Sequence, residues 1–153
     1  MKITLKDGSV KEYDQAKSVY EIAQDISEGL ARVACAGEIN GEIVDLRTQI
    51  SDDCELNIVT ASDPEGLRVI LHTASHVLAE AVKRLFPEAK ITIGPAIDDG
   101  FYYDFDHEPF SREDLDNLEA EMKKIIKEGH EITRFTLPRA EAIKFMQEKG
   151  EPY

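Results

Sequence analysis

Two histidines, His72 and His76, are the residues whose type and spacing first suggest chemistry. They stand four residues apart in the stretch HTASH, inside a segment with helical periodicity. Each helical residue turns the chain by about 100°, so the two side chains project roughly 40° apart and can reach a common point. This spacing suits a metal clamp or an acid/base pair. The stretch is not HExxH, because Thr73 follows the first histidine, and the metalloprotease helix is therefore excluded.

The position of the pair on its helix leaves more than one interpretation open. We predict a helix from about Glu65 to Phe86, with a broad apolar stripe formed by Leu67, Ile70, Leu71, Ala74, Val77, Leu78, Ala81, Val82 and Leu85. Both histidines lie roughly opposite the centre of that stripe, on a face that continues through Glu65, Arg68, Ala79 and Lys83. A pair buried in the core is therefore disfavoured. A solvent-facing pair and a pair turned toward a covered cleft both fit the pattern.

A metal site would need a third and usually a fourth ligand besides the histidine pair. His107 and His130 fall in loop-like stretches, and neither forms a second paired motif. Cys35 and Cys54 fall in strand-like stretches, which predicts half-buried thiols, and two cysteines cannot form a disulfide framework of the secreted kind. We therefore predict no metal site in this chain.

Composition limits the classes of partner. The 153 residues include 31 acidic and 18 basic side chains, a formal net charge of −13. Non-specific nucleic-acid binding depends on basic side chains that release phosphate counterions, so a broad nucleic-acid-binding surface is excluded. No apolar run approaches the roughly 20 residues of a membrane span. The N-terminus alternates instead of forming the apolar block of a signal peptide. The sequence predicts a soluble, cytoplasmic protein with no membrane partner.

The first 60 or so residues have the signals of a compact α+β unit. Asp7-Gly8 separates two alternating stretches, which predicts a hairpin. Ser18 is a good N-cap for a helix that we expect Gly29 to end. Three strands are then predicted, at Arg32 to Ala36, Glu42 to Leu46 and Cys54 to Thr60. This order of elements is typical of a β-grasp (ubiquitin-like) fold.

Ser62-Asp63-Pro64 predicts a domain boundary just before the histidine helix. Two strands are predicted beyond that helix, Lys90 to Ile93 and Phe101 to Phe105, around a GPAIDDG loop. Ser111 opens another helix, whose apolar face is formed by Leu115, Leu118, Met122, Ile125 and Ile126. We expect a strand from Ile132 to Leu137 and a last helix from Pro138 to about Gly150.

The run HTASHVLAEAVKRLFPEAKITIGPAIDDGFYYDF resembles the start of the second N-terminal domain of threonyl-tRNA synthetases. Residues 1–61 resemble the TGS domain that precedes it, including the DGS hairpin and the CELNIVTA ending. SREDLDNLEAEMKKIIKEG and EAIKFMQEKGEPY resemble the continuation of the second domain. The resemblance implies a TGS domain at 1–61 and, at 62–153, the first part of an α/β editing domain, which in this family removes serine wrongly attached to threonine tRNA.

The resemblance also implies roles for three residues. His72 and His76 match the two histidines of the family's editing pocket, where they would be catalytic. Tyr103 matches a pocket residue near the bound serine and terminal adenosine, which makes it a candidate substrate-binding residue. Phe101, Tyr103 and Phe105 share one face of the predicted strand, however, and could simply pack a core.

Further implications concern the longer protein. In the family a later lysine and a CxxxH motif complete the pocket, and both would follow Tyr153, so we expect the 153-residue chain to be inactive by itself. The aminoacylation core, with ATP, Mg²⁺ and Zn²⁺, would also lie outside this chain, which is expected to hold no cofactor. The resemblance implies threonine tRNA as the partner of the full-length protein, a homodimeric parent, and weak tRNA binding by residues 1–153.

Two other functions fit parts of the sequence. TGS domains also occur as regulatory or interaction modules in stringent-response enzymes and some GTPases, although this chain has no Walker A P-loop. A metal-dependent editing protein of the alanyl-tRNA type would share the HxxxH spacing. The HTASH-to-FYYD combination favours the synthetase over a regulatory TGS module. The TGS domain argues against a metal-dependent editing protein.

Overall fold

The computed structural model describes residues 1–152, which divide into a first compact unit, Met1–Ile70, and a second that begins at Leu71. The division falls inside a long helix that both units share. The domain boundary predicted between residues 61 and 62 lies just before this helix and stays a prediction. Within the described residues, none of the helices combines the length and apolar character that a membrane crossing requires.

The first unit is an α+β fold, as predicted. Its elements are β1 (Lys2–Leu5), β2 (Val10–Glu12), β3 (Lys17–Ser18), α1 (Val19–Ile26), α2 (Glu28–Val33), β4 (Ala34–Ile39), β5 (Glu42–Val44), β6 (Gln49–Ile50) and β7 (Cys54–Thr60). Five strands form one sheet in the order β2-β1-β7-β4-β5, and β3 pairs with β6 beside it. The central pair β1–β7 is parallel and the other pairs of the large sheet are antiparallel. This mixed sheet with a crossing helix is the predicted β-grasp arrangement.

The core of the first unit lies between this sheet and α1. Its buried residues are Ile3, Val19, Ile22, Ile50 and Leu56. The N-cap prediction at Ser18 is confirmed: its hydroxyl accepts from the Glu21 N–H at 3.2 Å, and the Glu21 carboxylate accepts from the Ser18 N–H at 2.7 Å. This reciprocal cap fixes the start of α1. Cys35 and Cys54 lie in β4 and β7 as half-buried free thiols, as predicted.

The predicted end of the first helix is wrong. Ser27, not Gly29, ends α1, and its side chain then accepts from the Leu30 N–H at 3.0 Å to cap α2. Gly29 lies inside α2. The strand predicted from Arg32 therefore begins two residues later, at Ala34. A serine can end one helix and cap the next because its side chain serves the free N–H groups of the second helix.

The remaining elements are α3 (Pro64–Leu85), β8 (Lys90–Ile91), β9 (Ala96–Ile97), β10 (Gly100–Phe101), β11 (Phe105–Asp106), α4 (Arg112–Glu128) and α5 (Arg139–Lys149). The three helices predicted in this part of the chain are confirmed. The GPAIDDG segment is not a simple loop, because β9 and β10 form a small hairpin within it. β8 pairs with β11 outside that hairpin. The first predicted strand is therefore shorter than expected. The prediction of one strand from Phe101 to Phe105 is wrong, because Phe101 ends β10 and Phe105 begins β11.

The second unit has a small core between α3, α4 and β11. Its buried residues are Ala81, Val82, Ala89, Leu118 and Ile125, with Val77, Leu78, Phe86, Phe105, Phe110 and Met122 packed against them. The apolar faces of the two helices are narrower than predicted. Leu67, Ile70 and Leu85 of α3 and Leu115 and Ile126 of α4 are exposed.

The buried side of α3 is also rotated from the predicted one. Ala79, which we expected on the histidine face, is buried, and so is Ser75. At Ser75 the chain after α3 approaches the helix closely, since the Ser75 hydroxyl lies 2.8 Å from the carbonyl oxygen of Gly94.

No strand forms at residues 132–137, contrary to the prediction. Ile132 and Phe135 are exposed there. A strand requires a neighbour to take its backbone hydrogen bonds, and the sheets formed by residues 1–152 pair other segments.

Candidate active site

His72 and His76 lie together on the exposed side of α3. Their Nε2 atoms are 3.1 Å apart, and their ring centroids are 4.6 Å apart in an edge-on arrangement. One ring must therefore donate its Nε2–H while the other accepts with an unprotonated Nε2. The pair keeps this contact when it gains one further proton. It loses the contact when both rings are charged, because two N–H groups would then face each other. The predicted convergence of the two rings is confirmed.

The surroundings favour the neutral form of His76. Local burial of the ring, and after it the neighbouring His72, lower the pKa of His76 from its ordinary value. Both effects act in one direction, since an imidazolium is poorly solvated there and is repelled by a second positive ring. A neutral imidazole near pH 7 is the form that can accept a proton.

Tyr103 lies against the loop that follows β8. Its ring stacks on Phe105 with centroids 4.7 Å apart and planes 16° apart. The ring also lies against Gly94: a methyl group added there would lie 2.0 Å from Tyr103 Cδ2 and 2.3 Å from Cε2. The ring thus occupies the space that a side chain at residue 94 would fill. Burial and the charge of Glu151 raise the pKa of Tyr103, so the phenol stays protonated.

Ser75 connects the histidine helix to this loop, and sequence reasoning did not single it out. Its side chain is fully buried. Its Oγ lies 2.7 Å from the carbonyl oxygen of His72 and 2.8 Å from that of Gly94. One hydroxyl hydrogen serves these two acceptors. The sequence does contain a sign of this role. Ser75 lies at helical spacing from Ala79 and Val82, and an entirely apolar helix face would have Ala or Leu at its position.

The other histidines have different surroundings. His107 stacks on Phe110 and its Nδ1 lies 2.7 Å from the carbonyl oxygen of Glu108. The Nε2 of His130 lies 2.7 Å from a carboxylate oxygen of Glu128. In residues 1–152, no three His, Cys, Asp or Glu side chains are grouped in a way that could hold a metal ion.

Comparison with known proteins finds similarity along the whole chain. Residues 1–60 match the TGS domain family. The whole chain is 61% identical to a threonine–tRNA ligase of Acetivibrio thermocellus, 56% identical to one of Caldanaerobacter subterraneus subsp. tengcongensis and 60% identical to one of Clostridium perfringens. In each case all of this chain is aligned, and it spans 24% of the relative's length.

Proposed function

The chain is homologous over its whole length to the N-terminal region of threonine–tRNA ligases, and from this premise we propose that it belongs to an enzyme of that activity. In this proposal residues 1–61 are the TGS domain, and residues from 62 onward are the first part of a domain that hydrolyses serine from mischarged threonine tRNA. The observation that carries the second assignment is the His72–His76 contact, with Nε2 atoms 3.1 Å apart on the exposed side of α3.

The need for such hydrolysis follows from the substrates. Threonine exceeds serine by one methyl group, which a binding pocket can use for only about 1–3 kcal/mol of discrimination. An enzyme that attaches threonine to tRNA therefore benefits from a second site that removes serine. The chemistry is simple: water attacks the ester carbonyl, the bond to the ribose oxygen breaks, and serine and free tRNA result.

The histidine pair suits the proton transfers in this reaction. An attacking water must lose a proton as its oxygen bonds to the carbonyl carbon, and the ribose oxygen must gain one as it leaves. The pair can accept one proton and keep its Nε2–Nε2 contact, and it can then return that proton to the leaving oxygen. General acid–base catalysis of this kind contributes about 10²–10⁴-fold to a rate. We assign this role to His72 and His76 jointly.

Tyr103 is proposed as a substrate-binding residue on a neighbouring wall. Its protonated phenol can donate a hydrogen bond, and its ring offers a flat surface to a serine or an adenine. The packing of its ring on Phe105 and Gly94 fits a fixed wall. Packing alone would also account for a ring in this place, so a Tyr103→Phe variant decides whether the hydroxyl matters.

The proposal extends to the rest of the protein. Attachment of threonine, with ATP, Mg²⁺ and Zn²⁺, is assigned to sequence outside residues 1–153, and no cofactor is assigned to the chain itself. Threonine tRNA is the proposed partner of the full-length protein, which we expect to be a cytoplasmic homodimer. The residues that complete the editing pocket are likewise assigned to sequence beyond Tyr153, so residues 1–153 alone are expected to be inactive.

The test is deacylation of seryl-tRNA by the full-length protein and by residues 1–153. We expect hydrolysis by the full-length protein and none by the shorter chain. His72→Ala and His76→Ala should each lower the rate of seryl-tRNA hydrolysis by the full-length protein at least about tenfold. This minimum lies below the contribution of about 10²–10⁴-fold that is usual for general acid–base catalysis. His130→Gln is the matched control, because it removes a histidine of other surroundings, and it should retain the rate.

Two results would overturn the assignment. Equal rates for the short and long proteins would mean that the pocket needs nothing beyond residue 153. Full activity with alanine at both histidines would remove them from the chemistry. A stoichiometric zinc ion lost in His72→Ala would instead favour a metal-dependent editing protein.

A further inference from the structure

Ser75 is the one polar side chain that the second unit buries completely among its described residues. A buried hydroxyl costs free energy unless it is hydrogen-bonded, and alanine would serve an ordinary helix-packing position better. The serine hydroxyl reaches out of its helix to the Gly94 carbonyl oxygen at 2.8 Å. It also lies 2.7 Å from the carbonyl oxygen of His72 in the preceding turn.

Tyr103 occupies the space into which a side chain at residue 94 would project. Because even a methyl group at residue 94 would collide with this ring at 2.0 Å, the ring rests directly on the glycine backbone. A short path therefore runs from α3 through the Ser75 hydroxyl and the Gly94 peptide to the Tyr103 ring. Ser75 itself lies between the two histidines in sequence, one residue before His76 and three after His72.

We infer that Ser75 is a positioning residue: its hydrogen bond to Gly94 holds the surface on which Tyr103 rests and so fixes Tyr103 relative to the histidine helix. Its link to catalysis depends on the function proposed above, whereas its effect on Tyr103 does not. The competing explanation is that Ser75 only fills space between α3 and the loop. The two explanations differ in whether the hydroxyl, or merely a side chain of that size, is required.

The experiment measures by NMR, in the 153-residue chain, how close the Gly94 loop lies to α3. Nuclear Overhauser effects between the Gly94 α-protons and the β-protons of residue 75 report that separation. Effects between Gly94 and the Tyr103 ring show whether the ring stays on the glycine, and Tyr103→Phe assigns the ring signals. We expect the effects between Gly94 and residue 75 to weaken several-fold in Ser75→Ala. We expect the same in Ser75→Cys, whose thiol fills a similar volume but is a weak donor. The signals of Leu118 and Ile125 in the core show that each variant is folded.

Thr73→Ala is the matched control, because it removes a hydroxyl from the exposed side of the same helical turn, and it should leave the contact between Gly94 and residue 75 unchanged. Unaltered contacts in Ser75→Ala would overturn the inference. Loss in Ser75→Ala with full retention in Ser75→Cys would also overturn it, since volume and not the hydrogen bond would then hold Gly94.

A second readout connects positioning to activity in the full-length protein. Ser75→Ala should lower kcat/KM for seryl-tRNA hydrolysis several-fold, less than the roughly 100-fold that a displacement of about 1 Å can cost. In a double-mutant cycle it should add little to the loss caused by Tyr103→Ala, because both changes remove the same wall. Fully additive losses would contradict action through Tyr103. If the wild-type protein does not hydrolyse seryl-tRNA, the proposed function fails, and the NMR result still decides the role of Ser75.

Discussion

The contact between His72 and His76 limits how much charge these two side chains can carry together. Their Nε2 atoms approach to 3.1 Å, which requires an unprotonated nitrogen on one ring. The pKa of His76 is lowered by partial burial and by its neighbour. A general base must be unprotonated when the substrate arrives, so this arrangement keeps a base available on the acidic side of neutrality.

The titration of His76 gives a direct check. An unfolded histidine titrates near 6.5, and the folded value is lower, so the unfolded chain binds more protons than the folded chain just below pH 6.5. The contribution of His76 to stability therefore rises with pH in that window and falls as the solution is acidified through it. We expect the titration midpoint of His76, measured by NMR, to lie below 6.5. The same midpoint should be found in the control variant His130→Gln.

His76→Gln supplies the thermodynamic comparison. Denaturant unfolding at pH 5 and pH 8 should show a smaller loss of stability on acidification in His76→Gln than in the wild type, because the depressed titration is absent. A His76 midpoint at or above 6.5 would mean that neither burial nor His72 disfavours its charge.

At the scale of elements, Arg84 joins α3 to α4. Its guanidinium donates to Glu80, Glu121 and Glu128, at 2.7 Å, 3.0 Å and 2.7 Å for the shortest contact with each. A carboxylate oxygen of Glu128 also lies 2.7 Å from Nε2 of His130. The hydrogen bond to Arg84, and then that to His130, lower the pKa of Glu128 to about 2. Because three carboxylates share one guanidinium, these contacts form a network. Ion pairs in a network contribute more to stability than an isolated surface pair does.

We expect Glu128→Gln to lower the thermal midpoint of the second unit at pH 7. A carboxylate whose pKa is lowered in the folded state stabilises the protein at pH values above its ordinary pKa of about 4.5. This stabilisation is lost as the pH falls toward 2. The difference between wild type and variant should therefore shrink over that range. Since Glu128 exposes 31% of its side chain, solvent screening keeps the effect modest. The unfolding is followed through the methyl signals of Leu118 and Ile125.

Glu119→Gln is the control for this comparison. Glu119 pairs with Lys123 on one face of α4, and both side chains are more than half exposed. Pairs of this kind contribute almost nothing to stability, so the midpoint should not change. If the thermal midpoint fell equally in both variants, the Arg84 network would stabilise the protein no more than an ordinary surface ion pair.

Local signals were sufficient where a side chain contacts its own backbone neighbours. The caps at Ser18 and Ser111 and the turn at Gly8 follow from residue type, because hydrogen bonds to adjacent N–H groups and a positive φ are local requirements. Ser27 shows the limit of this reasoning. Gly29 is the stronger stop signal by type, yet the serine ended one helix and capped another.

Packing between distant segments could not be predicted in the same way. Apolar residues mark a stripe on α3, but which part is buried depends on what covers it, and Leu67 and Leu85 proved exposed while Ser75 is buried. That the rings of His72 and His76 can reach a common point follows from helical spacing alone, whereas their direct Nε2 contact is seen only in the structure. The connection from Ser75 through Gly94 to Tyr103 does not follow from helical spacing, because it joins residues 19 and 9 positions apart through a loop.

At the scale of the whole chain, charge is the property that most constrains a role with RNA. A net charge of −13 leaves a phosphate backbone repelled over most of the surface. The residues proposed for the chemistry, His72, His76 and Tyr103, include no lysine or arginine. If the full-length protein binds threonine tRNA, as proposed, most of the affinity must come from sequence outside residues 1–153.

The 153-residue chain should therefore bind tRNA weakly. Each phosphate neutralised by a basic side chain releases counterions and makes affinity fall with salt, so six to ten such contacts cost about 10³–10⁵ in affinity between 50 and 200 mM salt. With basic side chains outnumbered 18 to 31, we expect a dissociation constant above the micromolar range at physiological salt and a shallow salt dependence in filter binding. The full-length protein, measured on the same tRNA, should bind more tightly and with a steeper slope. A submicromolar dissociation constant for residues 1–153 would require a local basic surface strong enough to overcome the net charge, and would place the main tRNA contact within this chain.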